Sequence, residues 1–313
     1  IENTSPDGGF FLTPFWVAAH DGVFDVWTGG QSADDFPGLE ELAEEGDTGP
    51  ISAAFAASSS GVAGGVDATI AAGQMPPPVF SPGESATFTL PVNDPVLNRY
   101  FSYASMVIPS NDLFVATSVP TTHELFDVNG DFAGPIVIEI RGTDVVDAGT
   151  EVNDIAGGAA FSALGGMPMD EANLLADIFD LDPAGSYLAS IVGTETASGA
   201  TIDEAFVGTT LIARITVTLE NGADFVRGDV DASGVLQVTD AVRLLETMFS
   251  GGDPFECERA ADVNDSNAVD IADAVILLTY LFLDGNPPVA PFPACGPDTT
   301  PDALSCEAFA SCP

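Results

Sequence analysis

The sequence predicts a mainly β protein, an antiparallel β-sandwich followed by a small α-helical domain. Three observations point there. From residue 9 to about residue 219, short apolar or alternating runs recur between Gly, Pro, Asn and Asp, the pattern of strands that bury a face and then turn tightly. At Asp224 the texture changes, and an acidic pattern appears twice, each copy running into an apolar helical stretch. The 313 residues leave room for two domains, at roughly 100–200 residues each.

In chain order, strands are expected at 10–19, 86–90, 100–108, 113–117, 135–141 and 211–219. The last, LIARITVTL, alternates as a sheet with one buried face requires. Several short strands separated by turn signals argue for a sandwich. Helices are expected at 38–45, at 50–57, where Pro50 suits a first helical position, and at 170–179. The Ala/Gly/Ser-rich run 53–73 reads as loop or sheet edge.

Six cationic residues, all arginine, stand against 48 acids for a net charge of −42. Such a chain repels phosphate backbones and anionic lipid, which excludes nucleic-acid binding and electrostatic membrane docking. It favours divalent cations. With 46% hydrophobic residues, the acids decorate folded domains and do not form a disordered tail.

The repeat specifies where cations would go. Residues 229–240 precede a helical run at 241–249, and residues 262–273 precede one at 274–282, with Asp262 placed 33 residues after Asp229. Calcium takes six to eight oxygens, and a twelve-residue loop supplies side chains at positions 1, 3, 5, 9 and 12 with a carbonyl at 7. In the first loop these are Asp229, Asp231, Ser233, Gln237 and Asp240, with the carbonyl of Val235. In the second they are Asp262, Asn264, Ser266, Asp270 and Asp273, with the carbonyl of Ala268. Position 6 must turn through a left-handed conformation, which Gly234 and Asn267 allow. Each loop holds three ligand carboxylates that repel one another when empty, so this region should fold poorly without calcium.

These loops, entered from irregular sequence and closed by Asp, not Glu, resemble the two F-hand calcium loops of a type I dockerin over residues 226–287. The resemblance implies a cohesin-like partner reached through loop positions 10 and 11, here Val238, Thr239, Ile271 and Ala272. Packing of Val238 and Ile271 within the domain is the competing reading. Upstream, FFLTPFWVAAHDGVFDVWTGGQSADDFPGLEELAEEGDTGPI, YASMVIPSNDLFVAT and DAGTEVND occur in order and resemble a spondin domain over residues 1–222. That resemblance implies an extracellular, non-catalytic, calcium-binding β-sandwich, with Asp112, Asp147 and Glu151 as metal ligands. The alternative is that Asp147 and Thr150 cap a turn. Domains are thus expected at 1–222, 223–287 and, as a Pro/Cys-rich tail packed on the second, 288–313.

All four cysteines, Cys257, Cys295, Cys306 and Cys312, fall near the end in loop-like sequence without CxxC spacing, which reads as two disulfides and an oxidising, extracellular compartment. Of the three possible pairings, the reading adopted is Cys257 with Cys295 and Cys306 with Cys312. No apolar run reaches membrane-spanning length, and no basic start leads into a signal core, so the chain reads as a mature form without membrane insertion.

Several tempting sites are discounted. Arg227-Gly228-Asp229 spells an integrin tripeptide, but Asp229 opens a calcium loop. Asp127-Val-Asn129-Gly130-Asp131 reads as a turn rather than half a calcium loop. His20 and His123 lack a ligand partner at metal spacing, and no GxSxG, HExxH, Walker or GxGxxG motif occurs. Nothing marks a catalytic pair among the 48 acids, and 21 Phe against two Trp and four Tyr is a poor supply of sugar-stacking rings. Asn3-Thr-Ser5 and Asn264-Asp-Ser266 spell glycosylation sequons.

The expectation is therefore a secreted, non-enzymatic structural or adhesive protein with calcium as its cofactor. Its expected partner is itself, in a homo-oligomer or filament, with residues 1–9 or 287–313 available for strand addition. The alternative is a cohesin-like protein on a scaffold.

Overall fold

The computed structural model describes residues 1–73, 78–92, 94–157, 159–163, 167–196, 199–219, 223–298, 300, 304–306 and 308–312. The chain divides into two compact units. The first comprises Ile1–Leu90, Val96–Asn129 and Ala133–Thr218, and the second Pro91–Pro95, Gly130–Phe132 and Leu219–Pro313. The expected boundary after residue 222 falls on 220–222, which lie outside the described residues, as do 299, 301–303, 307 and 313 of the expected tail.

Unit 1 holds β1 (Glu2–Asn3), β2 (Phe11–Leu12), β3 (Phe15–His20), α1 (Leu39–Glu45), α2 (Gly49–Ala57), α3 (Ser59–Ala63), β4 (Val66–Ile70), β5 (Tyr100–Ile108), β6 (Leu113–Ala116), β7 (His123–Glu124), β8 (Ile136–Arg141), β9 (Val145–Asp147), β10 (Ala176–Asp177), α4 (Ile178–Leu181), α5 (Ser186–Ile191) and β11 (Leu211–Val217). Every named pairing is antiparallel. One sheet runs β1-β11-β8, and the other β10-β9-β6-β5-β3-β4, with β2 and β7 also paired to β5.

β3 is buried at all six positions and β5 at eight of nine, so both strands are covered on two faces. One cover is helical. Leu39 and Leu42 of α1 and Ile51 and Phe55 of α2 pack with Trp16, Ala104, Phe114 and Val146 from four adjacent strands. At roughly 1.5–3 kcal/mol for each large apolar side chain removed from water, this layer is a main source of the unit's stability. α1 is preceded by Gly38, whose φ of 88° is left-handed and where a Cβ would collide with the Ile51 backbone.

Local departures from expectation have local causes. The expected strand 10–19 breaks between β2 and β3 at Pro14, which has no N–H for the ladder. Thr13 compensates, its hydroxyl accepting the Met106 N–H at 3.0 Å. The run 86–90 forms no strand: a single bridge joins Glu2 to Ser85, and Phe88 is 51% exposed. The expected helix 170–179 is mostly extended, because Asp170 bridges Glu151 and β10 pairs with β9, leaving only α4 helical. The run 53–73 contains the end of α2, all of α3 and the edge strand β4, so loop or edge holds only for its latter half. Residues 1–9 are not free for strand addition, since β1 pairs with β11 and Asn3 Nδ2 donates to the Phe10 and Phe80 carbonyls at 3.0 and 2.8 Å.

Unit 2 holds α6 (Val238–Ser250), α7 (Glu258–Ala261) and α8 (Ile271–Phe282). Its core repeats with the sequence: Val230, Ala241 and Leu244 pack with Val263, Ala274 and Leu277, each 33 residues on. α6 and α8 start three residues earlier than expected, because Asp240 and Asp273 close capping boxes at their third helical positions.

The disulfides join Cys257 to Cys306 and Cys295 to Cys312, which corrects the expected pairing. The tail folds back on the segment that enters the first loop and forms a second small core of Phe225, Cys257, Ala260, Cys306 and Phe309. Phe225 exchanges backbone hydrogen bonds with Gly296, and Glu258 N donates to Ser305 O at 2.7 Å, so Cys257 meets Cys306 and not Cys295. Tertiary ladder contacts decide the pairing, not proximity in sequence.

Candidate metal centres

The first loop gathers its acids. Asp229 and Asp240 are buried and Asp231 is exposed, and one oxygen from each lies within 4.8 Å of the others. Among the described residues this is the one group of three such side chains so placed. Backbone donors hold it. Asp229 accepts from Ser233 N at 3.0 Å and Gly234 N at 2.8 Å. Asp240 accepts from Asp231 N at 3.1 Å and Gln237 N at 2.8 Å. Thr239 Oγ1 donates to Asp231 at 2.9 Å. Ser233 Oγ donates to the Val235 carbonyl at 3.2 Å, with Gln237 Nε2 3.5 Å from the same hydroxyl, so these three expected positions adjoin one another, Gln237 through its amide nitrogen. Gly234 takes φ 80° as position 6 demands. Burial, joined by the Asp231 and Asp229 charges and opposed by the two backbone donors, pushes Asp240 up to about 6.

The second loop repeats the scaffold in part. Asp262 accepts from Ser266 N at 3.0 Å and Asn267 N at 2.9 Å, and Asn267 adopts φ 65°. Asp273 accepts from Val263 N and Asp270 N, both at 2.8 Å, and burial pushes its carboxyl above the usual range. Ser266 Oγ donates to the Ala268 carbonyl at 3.2 Å. Asp270, expected as a ligand, is turned to cap α8, accepting from Ala272 N at 2.6 Å, and the acids of this loop do not converge as those of the first do. Asn264 Oδ1 at position 3 is buried with no hydrogen-bond partner, an arrangement that costs about 1–3 kcal/mol unless something binds there. An all-oxygen donor set with an orphaned buried carbonyl fits a hard divalent cation.

In unit 1, β6 and β9 pair Leu113 with Asp147, which brings Asp112 and Asp147 side by side in the chain's interior. Asp112 Oδ2 accepts from Thr150 N at 2.9 Å and Glu151 N at 3.1 Å, while its Oδ1 is buried without a partner. Burial first, then the Asp147 charge, pushes Asp112 up to about 8. Burial, with Glu44 the leading charge, pushes Glu151 up to about 7, and burial raises Asp147. Asp147 also accepts from Gly149 N at 2.8 Å, so the turn-capping role is present too. The sequence reading missed the neighbours: Asn111, whose Oδ1 accepts from Tyr187 OH at 2.8 Å, and Asn153, which donates to Asp147. The Asn111 contact joins residues 76 apart and left no spacing signal, whereas Asn153 lies six residues from Asp147 within the same loop.

The discounted sites have structural explanations. Arg227 is fully buried, so the Arg-Gly-Asp tripeptide is not presented. Asp127 Oδ1 accepts from Asn129 N at 2.7 Å with Gly130 at φ 88°, a turn. His20 is buried with Nδ1 accepting from Gly22 N at 3.0 Å, which leaves Nε2 to donate to Ser102 Oγ at 2.9 Å, and burial lowers its pKa to about 4. His123 is half-buried against the Tyr103 ring. Asn3 is buried and both its amide hydrogens are engaged, which closes the first sequon to glycosylation. No helix among the described residues is long and apolar enough to cross a membrane. No protein-family model matches the chain, and neither does any curated protein.

Proposed function

We propose that this chain is a non-enzymatic, extracellular calcium-binding structural or adhesion protein. In this reading unit 1 is a spondin-like β-sandwich, unit 2 is a type I dockerin-like domain, and calcium-loaded copies assemble into a fibre, coat or matrix. The observation that carries it is the duplicated loop. The convergence of Asp229, Asp231 and Asp240 and the orphaned Asn264 Oδ1 support oxygen coordination of a calcium ion in each loop. In unit 1 the support is narrower: Asp112 Oδ1 is unpartnered next to the Asp147 charge, while the carboxylates of Asp112, Asp147 and Glu151 do not converge as those of the first loop do. Calcium bound at these sites lessens a net charge of −42 that otherwise keeps copies apart. The two disulfides suit an oxidising compartment.

One observation favours a second reading, an adaptor that docks on a cohesin-like protein. Val238, Val242 and Phe249 of α6 and Ile271, Val275 and Phe282 of α8 are all 45–65% exposed. They sit at matching positions 33 residues apart, on one stripe of each helix. Val238 and Ile271 therefore do not pack within the unit.

Negative-stain imaging of the purified chain in millimolar calcium, repeated after chelation, tests both. Filaments or sheets that dissolve on chelation are expected for self-assembly. Discrete particles in both conditions reject it, and calcium-dependent capture of a purified cohesin-like partner then supports the adaptor.

A further inference from the structure

The tail does more than close the fold, because it touches both loops at corresponding positions. At position 1 of the first loop, Ser311 Oγ lies 3.1 Å from Asp229 Oδ2, the oxygen that also accepts from Gly234 N. Ser311 is held in place by its neighbour Cys312 through the bridge to Cys295. At position 4, Ala232 packs against the tail's small core. In the second loop, the residue at position 4 is Asp265, and the Thr300 hydroxyl lies 2.8 Å from both of its carboxylate oxygens. Arg227 joins the same contact, 3.1 Å from Asp265, while donating to the position 1 carbonyl of Asp262 at 2.7 Å and to Asp298 of the tail at 2.9 Å. A donor on a ligating carboxylate fixes its plane and draws off part of its charge, which is how outer partners tune a metal site.

We propose that the tail, through Asp298, Thr300 and Ser311, forms an outer clamp on both loops. Ser311 is the positioning residue of the first loop; Thr300 is that of the second, holding the non-ligating Asp265 against Arg227, which in turn holds the Asp262 carbonyl. The Cys295–Cys312 bridge thereby sets the first loop's calcium affinity. This rests on the calcium reading above and adds to it residues that no loop pattern contains.

Calcium titration of the full chain, followed by NMR at the Gly234 and Asn267 amides, reads each loop separately. Ser311→Ala is expected to raise the midpoint at Gly234 by about tenfold, within the usual range for loss of an outer partner, and to leave Asn267 within twofold. Ser311→Thr, which keeps the hydroxyl, should restore it. The Cys295→Ser/Cys312→Ser double variant should reproduce Ser311→Ala, and Thr300→Val should shift Asn267 alone. Midpoints unchanged within twofold, or equal shifts at both amides in Ser311→Ala, overturn the clamp while leaving calcium binding intact. No calcium response at either amide in the unaltered chain removes the calcium reading itself, and the clamp with it.

Discussion

Arg227 carries a full positive charge with none of its side chain exposed. Its cost of burial is met by the Ala290, Arg259 and Asp262 carbonyls at 2.8, 3.2 and 2.7 Å, by Asp298 and Asp265, and by the Phe225 ring 5.3 Å away. Arg227→Met leaves Asp298 buried without its cation and should destabilise unit 2 by about 3–5 kcal/mol in urea unfolding. A loss below about 1 kcal/mol would mean that the network relaxes. His20 is the counterpart in unit 1, a buried neutral imidazole whose pKa falls to about 4. Unfolded, the ring titrates near 6.5. The stability this group contributes is therefore complete above pH 6.5 and is lost as the pH falls towards 4, by about 3 kcal/mol. Asp112 and Glu151, raised to about 8 and 7 by burial, act in the opposite sense in chelator, favouring the folded state as the pH falls. The difference between the unaltered chain and His20→Asn isolates the imidazole. Urea unfolding at pH 7 and 4.5 should show that difference shrink, and a constant difference would rule out a neutral buried ring.

At the scale of elements, each loop and its helix form one device. Asp240 and Asp273 serve as the last loop position and as the capping residue of α6 and α8, accepting the Gln237 and Asp270 N–H groups. The bridges act at the same scale. Cys257–Cys306 spans 49 residues and Cys295–Cys312 spans 17, so the chain-entropy argument gives about 4 and about 3 kcal/mol respectively. Paired Cys→Ala variants measured by urea unfolding should keep that order. A reversed order would show that the tail's contacts outweigh loop closure. The loops, their oxygen-bearing side chains and both helices were legible in the sequence, since each depends on residues within twelve positions of one another. The disulfide pairing was not, because Cys306 reaches Cys257 only through the ladder at Ser305 and Glu258.

For the whole molecule, charge and fold pull in different directions. Six arginines against 48 acids oppose close approach of copies, and the interior still admits Asp112, Asp147, Asp229, Asp240, Asp262 and Asp273. Buried acids in such number require donors or cations, and backbone N–H groups supply many of the donors. By itself the sequence determined the antiparallel β character, most long strands, α1, α2 and the repeat of 33 residues with its spacing of acids and turns. Those features rest on local periodicity, turn chemistry and spacing. Tertiary structure alone decided that residues 170–175 extend instead of coiling, that Asn3 is sealed inside, that Arg227 anchors the tail, and that Ser311 and Thr300 come to lie on the loops. Each of these joins segments distant in sequence, and the energy of such a contact depends on which surfaces meet after folding, which no local pattern encodes.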